Sequence, residues 1–426
     1  MKRNFKRVLS MSLVCAMVFA TLAGCGSSNS DGQPSTETDD QSTTTSDDSP
    51  QSEESSEQSD TSDGEAPVAV SEWEFPMLTI LTGSVAFAGL PAEWGAQYAV
   101  KEINEQGGIR GVPVKLTVRD TAFDTAKAVQ EMSAVVDDAL IVFGPMDAPS
   151  TDAGGQVASE AKVPILAAAT TESVREKYAP YAIAYMTDSE KGTADAAVKW
   201  ATKENFQKIV MFYYPADNSS AAEYELTKSY LEKEGKEIVG AIEVTAGQLD
   251  LGPSVVKALG YEADAYFVCL RTEEFVRAVQ ELRNRGITEG RQIMGGFSSI
   301  APNLFELADG SLEDVYIWNK IDPAYPSDKW NTFVEAYKAD NDGQIPSTNT
   351  AANYYEAVMS VKEAFETLKI TGDPKKRQEE RDAIAEYLYN SKEYDYLQGK
   401  FQNVNGEKIA SPHVFQIKDN DYVRID

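Results

Sequence analysis

Three glycines, Gly107, Gly108 and Gly111, crowd the stretch INEQGGIRGVPVKLTVRD at residues 103–120. Such density suits a phosphate cradle only if the order is strand, glycine turn, helix, so that helix amides face the anion. Nucleophilic chemistry has fewer candidates. His413 is the sole histidine, and the cysteines are Cys15, Cys25 and Cys269. Ser-His-Asp and Cys-His arrangements lose most of their support on that count. Cys269 stands alone in the part of the chain that folds, so neither a disulfide nor a cysteine-based metal cluster is expected there.

The elements around the glycines settle their role. Ala96, Ala99, Val100 and Ile103 share one face of a helix over 94–106, and VKLTVRD at 114–120 alternates as a strand does. The glycines therefore follow a helix and precede a strand. Gly107-Gly108 is expected to cap the helix and Gly111-Val112-Pro113 to make a turn, not to bind phosphate.

The same alternation runs through the chain. Strands are expected at 77–83, 139–145 and 163–170, with helices at 124–137 and 153–161. A second series begins near Thr193: helices over 193–202, 220–235, 253–259 and 273–285 alternate with strands over 208–214, 237–244, 265–270 and 292–297. His413 lies in SPHVFQI, a further strand. Alternating strands and helices give parallel sheets covered on both faces. Two series give the expected fold class: α/β, two Rossmann-like lobes with parallel sheets joined by a hinge. Ligands in such sheets bind beyond the carboxyl ends of the strands, which directs attention to 83–94, 145–151, 167–171, 214–220, 270–273 and 296–299.

Charge and termini bound the function. The chain has 426 residues and a formal net charge of −29, which repels nucleic acid and suits a soluble, surface-displayed protein. Lys2, Arg3, Lys6 and Arg7 precede an apolar run from Val8 to Ala23, the pattern of a secretory signal over 1–24. Leu22-Ala23-Gly24-Cys25 resembles the lipobox of bacterial lipoproteins, which implies lipidation of Cys25. The plainer alternative is an ordinary signal peptide with an incidental cysteine. From Gly26 to Val70 the chain is mostly Ser, Thr, Gln, Asp and Glu, with no Lys or Arg and hardly any large apolar residue, a composition that cannot offset its ordering entropy. Residues 25–72 thus read as an acidic tether with a root-mean-square reach of roughly 35–40 Å.

Three stretches carry a family resemblance. GLPAEWGAQYAVKEINEQGGIRGVPVKLTVRDTAFD, FGPMDAPSTDAGGQVASEAKVPILAAATTES and PSTNTAANYYEAV resemble successive blocks of the leucine/isoleucine/valine-binding protein family, the amino-acid receptors of ABC importers. Glu356 replaces the Asp of the last block. The resemblance covers about 76–426. It implies a clamshell with 76–189 and 318–398 in lobe 1, and 190–317 and 399–426 in lobe 2, closing on a ligand between them.

The resemblance also implies a site. Trp94 matches a position at the cleft mouth that packs on the ligand; otherwise it is an aromatic packed on its own lobe. In GPMDAPST, hydroxyls and amides would meet a ligand carboxylate, with Ala148 where a serine is usual and Ser150 or backbone N–H groups still able to serve. Asp147 would repel a carboxylate and accept an ammonium, or is simply a solvated acid. The loop at Ala168, Ala169, Thr170 and Thr171 would supply a carbonyl, an N–H and a hydroxyl, with a one-residue ambiguity in register. Asn218-Ser219 and Arg271-Thr272 fall where aromatics are common. Phe297-Ser298 fall where receptors of α-amino acids often carry an acid. Arg271 without an acid at 297 favours an anionic or neutral ligand, Asp147 from the opposite lobe would restore an amino acid, and Arg271 paired with Glu273 or Glu274 would mean neither.

The expectation is a binding protein without catalysis, cofactor or metal: a monomer, lipid-anchored on the extracytoplasmic face, delivering a small solute to an ABC permease. The alternative is a receptor of the same fold that signals to a membrane kinase or chemoreceptor. A surface hydrolase would need two cleft acids of unequal pKa, and Asp147 is the only acid the sequence nominates.

Overall fold

The computed structural model describes residues 66–425, apart from 84, 169–170, 301–302, 323 and 345–348, and apart from the side chains at 218, 219 and 298. The expected signal, Cys25 and most of the tether lie outside these residues, as do Ala169 and Thr170.

The chain first builds a parallel sheet. β1 (Trp73–Thr79) pairs with β2 (Val114–Asp120) and β3 (Val142–Phe143), and β4 (Ile165–Ala167) and β5 (Ala182–Ala184) extend it in the order β2-β1-β3-β4-β5. The connections are α1 (Ala86–Glu105), α2 (Thr125–Ser133), α3 (Ala148–Glu160) and α4 (Glu172–Lys177). Phe75, Met77 and Leu78 of β1 are all buried, as a strand covered on both faces requires. β1 starts at Trp73, ahead of the expected 77, because Glu72 and Glu74 interrupt the apolar run while Trp73 and Phe75 turn inward onto Phe365. α1 likewise starts at Ala86, not 94, and runs through Pro91. Proline usually opens a helix; here burial of Pro91, Ala92 and Ala96 holds the earlier turn.

The glycine cap is as expected. Gly107 and Gly108 have φ of +98° and +82°, and Gly108 N–H donates to Ile103 O at 2.9 Å. A Cβ on Gly108 would lie 2.1 Å from Val112 O, so only glycine fits.

The chain then crosses through 185–188 into the second lobe. α5 (Ser189–Lys203), β6 (Lys208–Tyr213), α6 (Asn218–Lys233), β7 (Glu237–Glu243), α7 (Gly252–Leu259), β8 (Ala265–Val268), α8 (Thr272–Asn284), β9 (Ile293–Gly295), α9 (Leu304–Ala308) and β10 (Tyr316–Asn319) follow in turn. A second crossing returns to lobe 1 for α10 (Asp328–Asp340), α11 (Thr350–Thr367) and α12 (Arg377–Tyr389). α11 lies so close to α1 that a Cβ on Gly95 would reach 2.0 Å from Ala351 O. β11 (Tyr394–Asp395), β12 (Lys400–Val404) and β13 (Glu407–Ala410) form a small antiparallel sheet. β14 (His413–Lys418) and β15 (Asp421–Arg424) then complete the lobe 2 sheet, ordered β15-β14-β10-β9-β8-β6-β7.

The first crossing matches the expected boundary near 189, and the later two fall beyond theirs. β10 belongs to the lobe 2 sheet through Asn319. The small sheet sits with lobe 1, since Ala184 N–H donates to Gly406 O at 2.7 Å and Leu397 joins the core of Trp73, Phe75 and Phe365. The expected 398/399 boundary therefore falls inside lobe 1, and lobe 2 resumes at β14. Separate apolar clusters lie on the two faces of each large sheet.

Candidate functional site

The lobe 1 loops leave the carboxyl ends of β3, β4 and β5. After β3 the chain turns through Met146, whose sulfur accepts from Thr79 Oγ1 at 2.8 Å. Asp147 then caps α3: its Oδ1 accepts from Ser150 N–H at 3.0 Å, satisfying one of the amides a helix N-terminus leaves open. Asp147 Oδ2 and the fully buried Ser150 Oγ have no hydrogen-bond partner among the described residues. Ala148 is exposed. Beyond β4, Thr171 caps α4, its hydroxyl accepting from Val174 N–H at 3.4 Å and sharing a hydrogen bond with Ser173 at 3.0 Å.

These loops meet the hinge around a cavity of about 800 Å³. Met146, Ala148, Ala168 and Thr171 line it from lobe 1, Ala222, Glu225 and Leu226 of α6 from lobe 2, and Met186, Asp188, Lys191, Lys320 and Glu407 from the crossings and their flanks. An ion triad, buried at Arg175 but partly exposed at Lys191, ties its walls. Glu407 Oε2 of β13 accepts from Arg175 Nη2 of α4 at 3.1 Å and from Lys191 Nζ of α5 at 2.6 Å. Asp188 caps α5, accepting from Lys191 N–H at 3.1 Å.

Lys320 is placed differently from the other cations. It follows β10 at the second crossing, and its Nζ donates to Thr187 O of the first crossing at 2.7 Å. The ammonium also stands 5.1 Å from the centre of the Phe297 ring, which is itself 5.3 Å from Trp318. Burial pushes its pKa down to about 8, against the pull of Asp188 and Glu190. The side chain also lines a smaller cavity of about 360 Å³ beside Trp318, Glu356 and Lys408.

The remaining sequence-predicted residues lie elsewhere. Trp94 is not in the cleft: it stacks on Tyr98 at 5.0 Å, meets Phe333 and Tyr337 edge-on, and its indole N–H donates to Asp340 at 2.9 Å. The aromatics exposed after β1 and β2 are instead Phe87 and Phe123, at 64% and 53% exposure. Arg271 caps no cavity wall; its guanidinium pairs with Asp217 at 2.9 Å and lies over the Tyr214 ring, while Glu273 pairs with Arg277 and Glu274 with Gly247 N–H. Thr272 opens α8 beside it. Phe297 stands in a short turn after β9, followed by Ser298. Ser219 lies in the first turn of α6, and its side chain, like that of Ser298, is outside the description.

A lobe 2 carboxylate does approach position 297, from another element. Glu223 of α6 is buried and accepts from Thr193 Oγ1 at 2.6 Å, Cys269 Sγ at 2.6 Å and Phe297 N–H at 3.2 Å. Burial beside this carboxylate raises the Cys269 thiol pKa well above its usual range. Sequence reasoning missed Glu223, Arg175, Lys191, Lys320 and Glu407. The residues of the ion triad, and Glu223 with its partners, come from segments far apart in the chain, and no local spacing announces their meeting. Lys320 alone left a trace, as the charge just after the apolar run VYIW and Asn319.

Comparison with known proteins places this geometry. The sequence pattern of the periplasmic binding protein family matches residues 72–421. A Leu/Ile/Val-binding protein of Rhizobium johnstonii is 39% identical over 82 residues, a match spanning 19% of this chain and 22% of that protein. Among solved structures, the branched-chain amino acid transporter substrate-binding protein of Streptococcus pneumoniae in complex with isoleucine superposes with a TM-score of 0.61 at 23% identity, covering 83% of this chain and 100% of the other. A solute-binding protein of an ABC transporter from R. palustris in complex with 4-hydroxybenzoate gives 0.63 at 16% identity, covering 83% and 96%. At such identities the superpositions speak for the fold, two α/β lobes of the type I periplasmic-binding architecture. With the family pattern spanning both lobes and the hinge between them, the chain belongs to the periplasmic binding protein family.

Proposed function

We propose that this protein is the solute receptor of an ABC importer, anchored through lipidated Cys25 on the extracytoplasmic face and working as a monomer. It binds an amino acid or a related small carboxylate between its lobes and hands it to the permease, with no chemistry performed on the solute. The observation that carries the reading is the inter-lobe cavity of about 800 Å³ at the carboxyl ends of β3, β4 and β5. That volume is within the range that holds small molecules, and the position is where open α/β sheets bind them. Thr171 supplies a polar contact from lobe 1, and Met146, Met186 and Leu226 supply an apolar wall. The ligand-bound neighbours hold isoleucine and 4-hydroxybenzoate, solutes that share a carboxylate on an apolar body.

The test is a thermal-shift screen of the purified protein against amino acids, aliphatic and aromatic carboxylates, their amides, and nucleosides. A solute at 100 times its Kd adds about 2.7 kcal/mol of stability, an easily read shift. A hit among amino acids or carboxylates is expected. A response confined to nucleosides, or no response across the panel, removes the reading.

A further inference from the structure

We propose that Lys320 is the residue that receives the solute's negative charge, so that this receptor selects a monocarboxylate with an apolar body. The inference rests on the reading of the cleft as a solute site and deepens it.

Among the described residues, the cations of the cleft and the first turn of α3 are already taken, with one exception. The N-terminus of α3 would attract an oxyanion, but Asp147 has placed its own carboxylate there, on Ser150 N–H. Arg175 and Lys191 both bind Glu407. Arg271 is bound to Asp217 and lines neither the large nor the small cavity. Lys320 has no carboxylate within 4.0 Å among the described residues; one N–H goes to Thr187 O, and an ammonium has three to give. Asp188 and Glu190 act on it only from longer range. A buried charge with no counter-ion in direct contact costs stability, and a charged ligand group supplies that contact. The surroundings fix the rest of the solute. The ammonium rests on the Phe297 face with Trp318 behind it. The cavity of about 800 Å³ that Lys320 lines carries Met146, Met186 and Leu226 beside the carboxylates of Glu172, Asp188, Glu190, Glu225 and Glu407, which leave room for one solute carboxylate only, at Lys320. The hydrogen bond to Thr187 also joins the two crossings, so a carboxylate on Lys320 lies where the lobes hinge.

The experiment is isothermal titration at pH 7 with benzoate, 4-methylpentanoate and L-isoleucine, each set against its primary amide, using the full mature protein and its Lys320→Met, Lys320→Gln and Lys320→Arg variants. The expected result is that at least one carboxylate binds, with its amide at least tenfold weaker. Lys320→Met and Lys320→Gln weaken the carboxylate at least tenfold and erase the preference over the amide, and Lys320→Arg restores part of it. The empty Lys320→Met protein melts no lower than wild type, an outcome a structural lysine would not give. Equal carboxylate affinity in wild type and Lys320→Met overturns the assignment while leaving a solute receptor in place. So does wild-type preference for the amides, which needs no variant to fold. Failure of every solute in both this series and the broader screen removes the assignment and the receptor reading together.

Discussion

The two faces of the cleft are prepared differently. On the lobe 1 side, polar atoms next to the cavity-lining Ala148 are left unspent: Ser150 Oγ and Asp147 Oδ2 have no partner among the described residues. On the lobe 2 face, the polar groups at the strand ends are already committed. Glu223 collects donors from Thr193, Cys269 and the Phe297 amide, and Arg271 is held by Asp217 with Tyr214 beneath it. An unsatisfied buried group gains the full worth of a new hydrogen bond, whereas a satisfied one only exchanges partners. On the proposed reading, lobe 1 is the face that captures a solute, and lobe 2 closes over it mainly through shape and through Lys320 at the hinge. Closure is driven only by differential affinity for the closed state, so the hinge residues should weigh more than the lobe 2 rim.

The largest effect that would break this contrast lies in the ion triad. Glu407→Gln strips the counter-charge from Arg175, whose side chain is 5% exposed, and from Lys191. Removing one partner of a buried ion pair leaves uncompensated charge and costs about 3–5 kcal/mol. Urea unfolding should show that loss. A change below about 1 kcal/mol would mean that water reaches the triad freely and screens its charges, so that the hinge wall is open.

Next in size is Trp94→Ala. The family resemblance put this residue at the cleft mouth, with packing on its own lobe as the alternative, and the structure puts it in an aromatic cluster with Tyr98, Phe333 and Tyr337. Truncating a half-buried tryptophan should cost about 2–3 kcal/mol and leave solute affinity within about twofold. The opposite pattern, unchanged melting with weakened binding, would return Trp94 to the site. The misplacement has a physical source. The residues that end α1, Gly107 and Gly108, are legible because only glycine tolerates their φ, and the apolar periodicity of the strands is legible because burial imposes it. Where α1 begins is not, since a proline such as Pro91 can open a helix or be carried inside one by packing. Moving that start from 94 to Ala86 exchanges the exposed Phe87 for the packed Trp94. Position after a strand thus pointed to Ala148, Ala168 and Thr171, which do line the cavity. The charges beside them were not legible, because Glu407 meets Arg175 and Lys191 only through contacts more than 200 residues apart in the chain.

Ser150→Ala sharpens the comparison from the lobe 1 side. Its hydroxyl is buried and unpartnered among the described residues, so its removal should leave stability within about 0.5 kcal/mol or raise it slightly. Ser150 does not line the cavity, so solute affinity should stay within about twofold unless closure turns the hydroxyl onto the solute, which would cost up to about tenfold. A marked loss of stability would show that the hydroxyl already has a partner, and the contrast between the faces would weaken.

The smallest effect is expected at Arg271, and it is the sharpest test of the lobe 2 side. The side chain is 57% exposed and its partner Asp217 is 32% exposed, so solvent screens the pair and its worth is about 0–1 kcal/mol. Because the guanidinium lines neither cavity, Arg271→Ala should leave both stability and solute affinity nearly unchanged. The same substitution matters greatly if closing the lobes swings Arg271 off Asp217 and onto the solute's carboxylate. In that case Arg271→Ala would weaken carboxylates as strongly as Lys320→Met does, and the double variant would reveal coupling between them. If lobe 2 instead keeps its own bonds on closing, the two positions act independently and the whole carboxylate preference resides at Lys320.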